Sequence, residues 1–312
     1  DIDGLRAIAI IMVVAFHYFG TRGGFSGVDV FFVISGYLIS GIILSELAAG
    51  RFSLITFYAR RIRRIFPSLV IVLVVTTAIG YALFFREDVR LLGKHLAGGA
   101  LYVANFVLLG EAGYFDGSAE TKPFLHLWSL AIEEQFYLFW PLLLLAMAKW
   151  QRAAPWLIPG TLILSFAANV LIMHDSREAA FYLPFSRFWE LAAGGALAWI
   201  TMQRPTLRRL PRPIANAASI IGIFLILLSA FGLRSSFAFP GWWALLPTGG
   251  AVLLIAAGSS GVVNRFVLAS RPMVWIGLIS YPLYLWHWPL IATARIHQFG
   301  PIPQSWKWPM LL

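Results

Sequence analysis

Cysteine is absent from these 312 residues, which excludes disulfides, thiolate nucleophiles and cysteine-bound metals. Charge is scarce as well. Asp, Glu, Lys and Arg make up 12% of the chain, with 14 acidic residues against 24 basic ones. A soluble helical domain needs a polar face on each helix, and so little charge cannot supply one. Long linkers, low-complexity tracts and internal repeats are missing. So are Gly-rich phosphate loops and His–carboxylate spacings of the zinc type, and no metal site is expected. What remains is hydrophobic: 59% of residues, gathered in runs of helical length from end to end. The expected fold is an all-α, polytopic transmembrane helical bundle.

Apolar spans are expected at 5–20, 28–47, 67–85, 91–109, 125–148, 155–173, 182–201, 214–232, 242–257, 274–295 and from 306 onward. The formal charge of +10 does not point to nucleic acid, because the basic residues cluster in short loops, as the positive-inside rule requires. The stretch Arg51–Phe66, with Arg51, Arg60, Arg61, Arg63 and Arg64, marks the cytoplasmic side and places Gly20–Gly27 outside. Were 91–109 to cross, Lys149, Arg152, Arg204, Arg208, Arg209, Arg212, Arg265 and Arg271 would all be exported. That segment also carries Lys94, His95, Asn105 and three glycines. It is therefore expected to be re-entrant or interfacial, leaving about ten spanning helices. Residues 1–312 read as a single membrane domain with its last helix truncated.

Within the first span, Arg6 and His17 are separated only by apolar residues. At ~1.5 Å per residue they lie roughly 16 Å apart along a helix, about half a bilayer core. Intramembrane ionisable groups are costly and are usually kept for function. The expected topology brings further polar groups to His17's depth: Glu133, Glu134 and Gln135 on one helix, and His287 with Tyr281 and Tyr284 on another. Asp29 opens the second span, and Arg187 with Glu190 opens a later one on a shared helical face. These groups suit one polar cavity facing outward, with the arginine run facing inward.

Each residue also has a plainer reading. His17 is either a general base or acyl carrier, or a core histidine bonded to a neighbouring helix. Glu133 and Glu134 point about 100° apart, so one orients His17 while the other packs, or the two form an interhelical pair. Arg61 and Arg64 share a helical face and suit phosphate, yet a lipid-binding basic patch explains them equally. Arg6 joins that anion site or pairs with Asp3. His287 lies in the cavity or in an aromatic belt. Arg187 and Glu190 neutralise each other, and Asp29 caps its helix, unless they line the acceptor side. His95, His174 and His297 are assigned no role.

The segments DIDGLRAIAIIMVVAFH, GVDVFFVISGYLIS, FYARRIRRIFP, PFLHLWSLAIEEQFYLFWP and ISYPLYLWHWPL, in this order, closely resemble membrane-bound acyltransferase family 3. That family includes the bacterial O-acetyltransferases of surface polysaccharides. The resemblance implies a multi-pass protein of the bacterial inner membrane. Acetyl-CoA, or another acyl-CoA, would be its co-substrate from the cytoplasm, with no tightly bound cofactor. The acceptor would be a membrane-linked or periplasmic glycan, lipopolysaccharide O-antigen or similar. The family's arginine–histidine motif falls on Arg6 and His17, its Arg-x-x-Arg on Arg61 and Arg64, and its glutamate on Glu133 or Glu134. A fused SGNH-type domain, common in such relatives, would lie outside this sequence. A proton-coupled transporter built on the same His, Glu and Arg set is the competing reading. It explains neither the arginines beside the third span nor the missing repeat.

Overall fold

The computed structural model describes residues 1–112, 119–150, 154–204, 206, 210–234 and 236–298. These form α1 (Ile2–Phe19), α2 (Gly27–Ala48), α3 (Leu54–Leu83), α4 (Arg86–Ala100), α5 (Ala104–Leu109), α6 (Leu127–Lys149) and α7 (Ala154–Asp175). They continue as α8 (Arg177–Tyr182), α9 (Phe188–Gln203), α10 (Arg212–Gly232), α11 (Leu245–Ala257), α12 (Arg271–Leu278) and α13 (Ser280–Gln298). Short helical turns join them, and no strand occurs among the described residues. The protein is an all-α, multi-pass membrane protein.

Seven described helices are long and apolar enough to cross a bilayer. They match seven of the ten expected spans. The expected span at 182–201 is broken into α8 and the 16-residue α9. That at 274–295 is split between the 8-residue α12 and the 19-residue α13, whose two Tyr, two His and one Arg dilute its hydrophobicity. The span expected from 306 lies outside the described residues. The segment 91–109 is not one helix. α4 closes at Ala100, and Tyr102 (φ 55°) turns the chain before α5.

The sharpest departure concerns α3. The arginine run was expected to precede a span starting at 67, yet helix runs unbroken for 30 residues from Leu54, through Pro67. Ser53 begins it by accepting a hydrogen bond from the Thr56 amide. Proline inside removes one backbone donor, that facing the Arg63 carbonyl, a loss that neighbouring packing can absorb.

The chain forms two compact units. The first comprises Asp1–Phe52 and Gln135–Ser280. Its core gathers Leu5, Ala9, Val33, Ile226 and Leu254 from α1, α2, α10 and α11. Helices α2 and α9 pack closely: a Cβ added to Gly36 would sit 1.8 Å from the Leu191 carbonyl oxygen, and one on Gly194 2.0 Å from that of Val33. Only glycine permits that approach, the small-residue contact usual between membrane helices. The second unit comprises Ser53–Glu134 and the chain from Tyr281. There Leu69, Val72 and Leu73 of α3 pack on Leu127, Leu130 and Leu285.

Candidate functional site

In the second unit, α3, α6 and α13 share a line of polar groups. Tyr281, Tyr284 and Trp288 fall on one face of α13 at i, i+3 and i+7. The Tyr281 hydroxyl donates to the Ile65 carbonyl at 3.0 Å. Tyr284 donates to the His126 carbonyl at 2.8 Å and meets the Ser129 hydroxyl. The Trp288 indole donates to the Lys122 carbonyl at 2.8 Å. Each rung satisfies a buried polar group that would otherwise cost free energy in hydrocarbon.

His287 and His126 are both buried, with ring centroids 5.8 Å apart. Nδ1 of His287 lies 2.6 Å from the Tyr284 carbonyl. A carbonyl only accepts, so Nδ1 carries the hydrogen, and in the neutral ring Nε2 holds the lone pair. His287, expected in a cavity or at the interface, is thus in the polar line. His126 was assigned nothing in the sequence. Its signal was legible, since 126, 129 and 133 are spaced i, i+3 and i+7 like one helical face.

The two glutamates separate by environment. Glu134 interacts electrostatically with Arg61 and Glu133, and its carboxylate acts on Tyr102 and Tyr281. Its Oε1 is buried and makes no hydrogen bond among the described residues. Glu133 acts on Tyr281 as well, and on Tyr284. Arg61 is half-buried and Arg64 exposed, and Arg64 reaches Tyr281 electrostatically. Glu134 thus lies within electrostatic reach of Arg61 on α3.

A second cluster lies at the other end of α3. Glu111 accepts from Lys94 Nζ at 2.7 Å, Lys122 Nζ at 3.0 Å and His95 Nε2 at 2.8 Å. These residues come from α4, from the chain after α5 and from the approach to α6. Only folding brings them together, which is why His95 carried no signal in the sequence. Burial alone would raise the Glu111 carboxyl, but its three donors outweigh that and hold it at about 2, below its ordinary 4.5. A depressed carboxyl stabilises the fold above the unfolded value and loses that contribution as pH falls through the folded one. Glu111→Gln should therefore melt earlier than wild type at pH 7. The gap should close between about pH 4.5 and 2, and thermal melts across that range check it. A constant gap would mean the charge of Glu111 does not stabilise this cluster.

The first unit holds the remaining candidates. Arg6 and His17 lie on α1, eleven residues apart, which returns them to within about 20° of one face. Arg6 pairs with Asp3 at 3.5 Å. His17 is part-buried on the last turn, edge-on to Phe16 at 4.9 Å. Asp29, Arg187 and Glu190 form a fully buried ion cluster. Arg187 hydrogen-bonds Asp29 Oδ1 at 3.1 Å and ion-pairs with Glu190 at 3.0 Å, and the rings of Phe32, Phe181 and Phe239 surround its guanidinium at 5.6–5.7 Å. One oxygen of Asp29 thus meets Arg187, and the three charges tie α2 to the start of α9 inside an aromatic shell.

The family model described as an acyltransferase domain, of acyltransferase family 3, matches residues 1–312. The chain is 33% identical over 325 residues to the peptidoglycan O-acetyltransferase OatA of Listeria monocytogenes, covering 98% of this chain and 51% of that protein. It is 32% identical over 320 residues to the O-acetyltransferase OatA of Staphylococcus aureus, covering 97% of this chain and 52% of that protein. The chain thus spans about half the length of these relatives. No solved structure matches it significantly. A match that runs over the whole of residues 1–312 settles the kinship: this chain belongs to acyltransferase family 3.

Proposed function

We propose that this chain is a transmembrane O-acyltransferase of the bacterial inner membrane, moving an acetyl group from cytoplasmic acetyl-CoA to a hydroxyl of a cell-surface glycan outside. The observation that carries this reading is the polarity of α3 within a family of acyltransferases. Its N-terminal part bears Arg60, Arg61, Arg63 and Arg64, and Glu134 and Tyr281 lie against it. Guanidinium forks suit the phosphates of coenzyme A. Acetyl-CoA is a co-substrate here, and no resident cofactor is required.

The chemistry follows from the residues. The acceptor oxygen attacks the thioester carbonyl while His17 takes its proton, and the thiolate of coenzyme A leaves with a proton from solvent or protein. In a two-step route the acyl group rests first on the imidazole. The relatives are named for peptidoglycan, which favours that glycan class over O-antigen as acceptor. A membrane-linked or periplasmic glycan and the bilayer are the partners in this scheme. Family membership sets the transporter reading aside, because it accounts for the arginine helix without solute transport.

Proteoliposomes loaded with acetyl-CoA should esterify glycan supplied outside, read by mass spectrometry of base-labile acetyl. Arg64→Ala should weaken acetyl-CoA binding by about 1.5–3 kcal/mol, the loss of a charge-assisted contact, with lysine rescuing partly. Unchanged donor affinity in a folded Arg61→Ala, Arg64→Ala double variant would return both residues to a lipid-binding role.

A further inference from the structure

The second unit contains a cavity of about 300 Å³ that the reaction scheme leaves unused. Its apolar wall is made by Phe84, Leu91, Pro123 and Ile296. Its polar lining is Asp88, His95, Glu111, Thr121 and Lys122. We propose that this cavity holds one neutral pyranose ring of the acceptor, an assignment that rests on the acceptor being a glycan.

Size is the first support. Ligand pockets begin at ~300 Å³, which suits a single sugar ring and is small for a lipid or a nucleotide. Charge is the second. Two carboxylates, Asp88 and Glu111, line the cavity against one lysine, Lys122, which is already paired with Glu111, so an anionic ligand would be repelled and a neutral one admitted. The third is His95. Its side chain is almost wholly buried in the lining, and its Nε2 donates to Glu111. Its Nδ1 is buried without a hydrogen bond among the described residues. A ligand hydroxyl, which both donates and accepts, supplies the missing partner whichever way the ring is protonated. Thr121 offers a second hydroxyl, and Phe84 an aromatic face for the C–H side of a pyranose.

Position agrees. Phe84 follows the last residue of α3, and Arg61 lies 23 residues earlier, so the cavity and the arginines are roughly 35 Å apart along the helix, about a hydrocarbon thickness. The rungs at Trp288–Lys122, Tyr284–His126 and Tyr281–Ile65 run between these ends. A donor site at one end and an acceptor subsite at the other is the division that transfer across a membrane requires.

The test uses the full chain in nanodiscs and an N-acetylglucosamine tetrasaccharide as probe, titrated by saturation-transfer NMR. Leu91→Trp, which fills the cavity from its rim, should weaken tetrasaccharide binding at least about tenfold, or ~1.4 kcal/mol. Thr121→Ala should weaken it several-fold, and acetyl-CoA binding in each sample reports a folded chain. Equal affinity in both variants would overturn the subsite, as would preferential binding of a galacturonic acid trimer. No binding to wild type would overturn it too. Acetylation of isolated cell-wall glycan by that same wild-type sample then shows that the acyltransferase reading survives, and its absence that both fall together.

Discussion

His17→Ala should insert, fold and bind acetyl-CoA, yet lose nearly all transfer. Removing a positioned base costs ~10²–10⁴-fold in rate. His17→Gln, which keeps hydrogen bonding but takes no proton at neutral pH, should do little better. The expectation rests on the part-buried imidazole three turns from Arg6 on one face of α1, and on the resemblance of DIDGLRAIAIIMVVAFH to the family's arginine–histidine motif. Radiolabelled acetyl-CoA without acceptor separates the two routes. Direct transfer leaves the protein unlabelled, whereas a relay leaves acetyl on His17. Near-normal glycan acetylation by well-expressed His17→Ala would remove this residue from the chemistry.

The second large effect belongs to stability. Arg187→Met should leave Asp29 and Glu190 facing each other, without their cation, among three phenylalanine rings. Breaking a buried ion cluster from one side costs about 3–5 kcal/mol, a large share of the ~5–15 kcal/mol that holds a domain folded. Thermal unfolding in nanodiscs should show a much lowered midpoint. Adding Asp29→Leu and Glu190→Leu should restore most of it, because replacing every member by apolar side chains is often neutral. A triple variant as weak as the single one would mean that the cluster fixes geometry that packing cannot.

Hydropathy made most of the membrane helices legible. In α1, α2, α6 and α10 apolar residues predominate, and the expected edges differ from those observed by a few residues. α3 begins at Leu54, ahead of the apolar span expected from 67, because a helix tolerates both arginines and Pro67 when its charged part need not enter lipid. The catalytic candidates were legible as residue types and not as neighbours. That Glu134 comes within reach of Arg61 depends on which side of α6 meets α3, and two positions 100° apart do not reveal it. His126 had the spacing to be found. The Glu111 cluster had none, because its donors are joined by folding alone.

Tyr102 carries a consequence for engineering. It ends α4 in a turn where its own amide bonds the Gly99 carbonyl and that of Val103 bonds the Gly98 carbonyl. This is the closing pattern in which glycine is the usual third residue, and a side chain there costs roughly 1–2 kcal/mol. The ring kept at that expense sits in the field of Glu134. Tyr102→Gly would relieve that strain while giving up the ring's packing on the core of the second unit and on Phe66, and it would strip the carboxylate of an aromatic neighbour. The two stability effects offset each other at this one position, so a library screened on melting alone would pass over it.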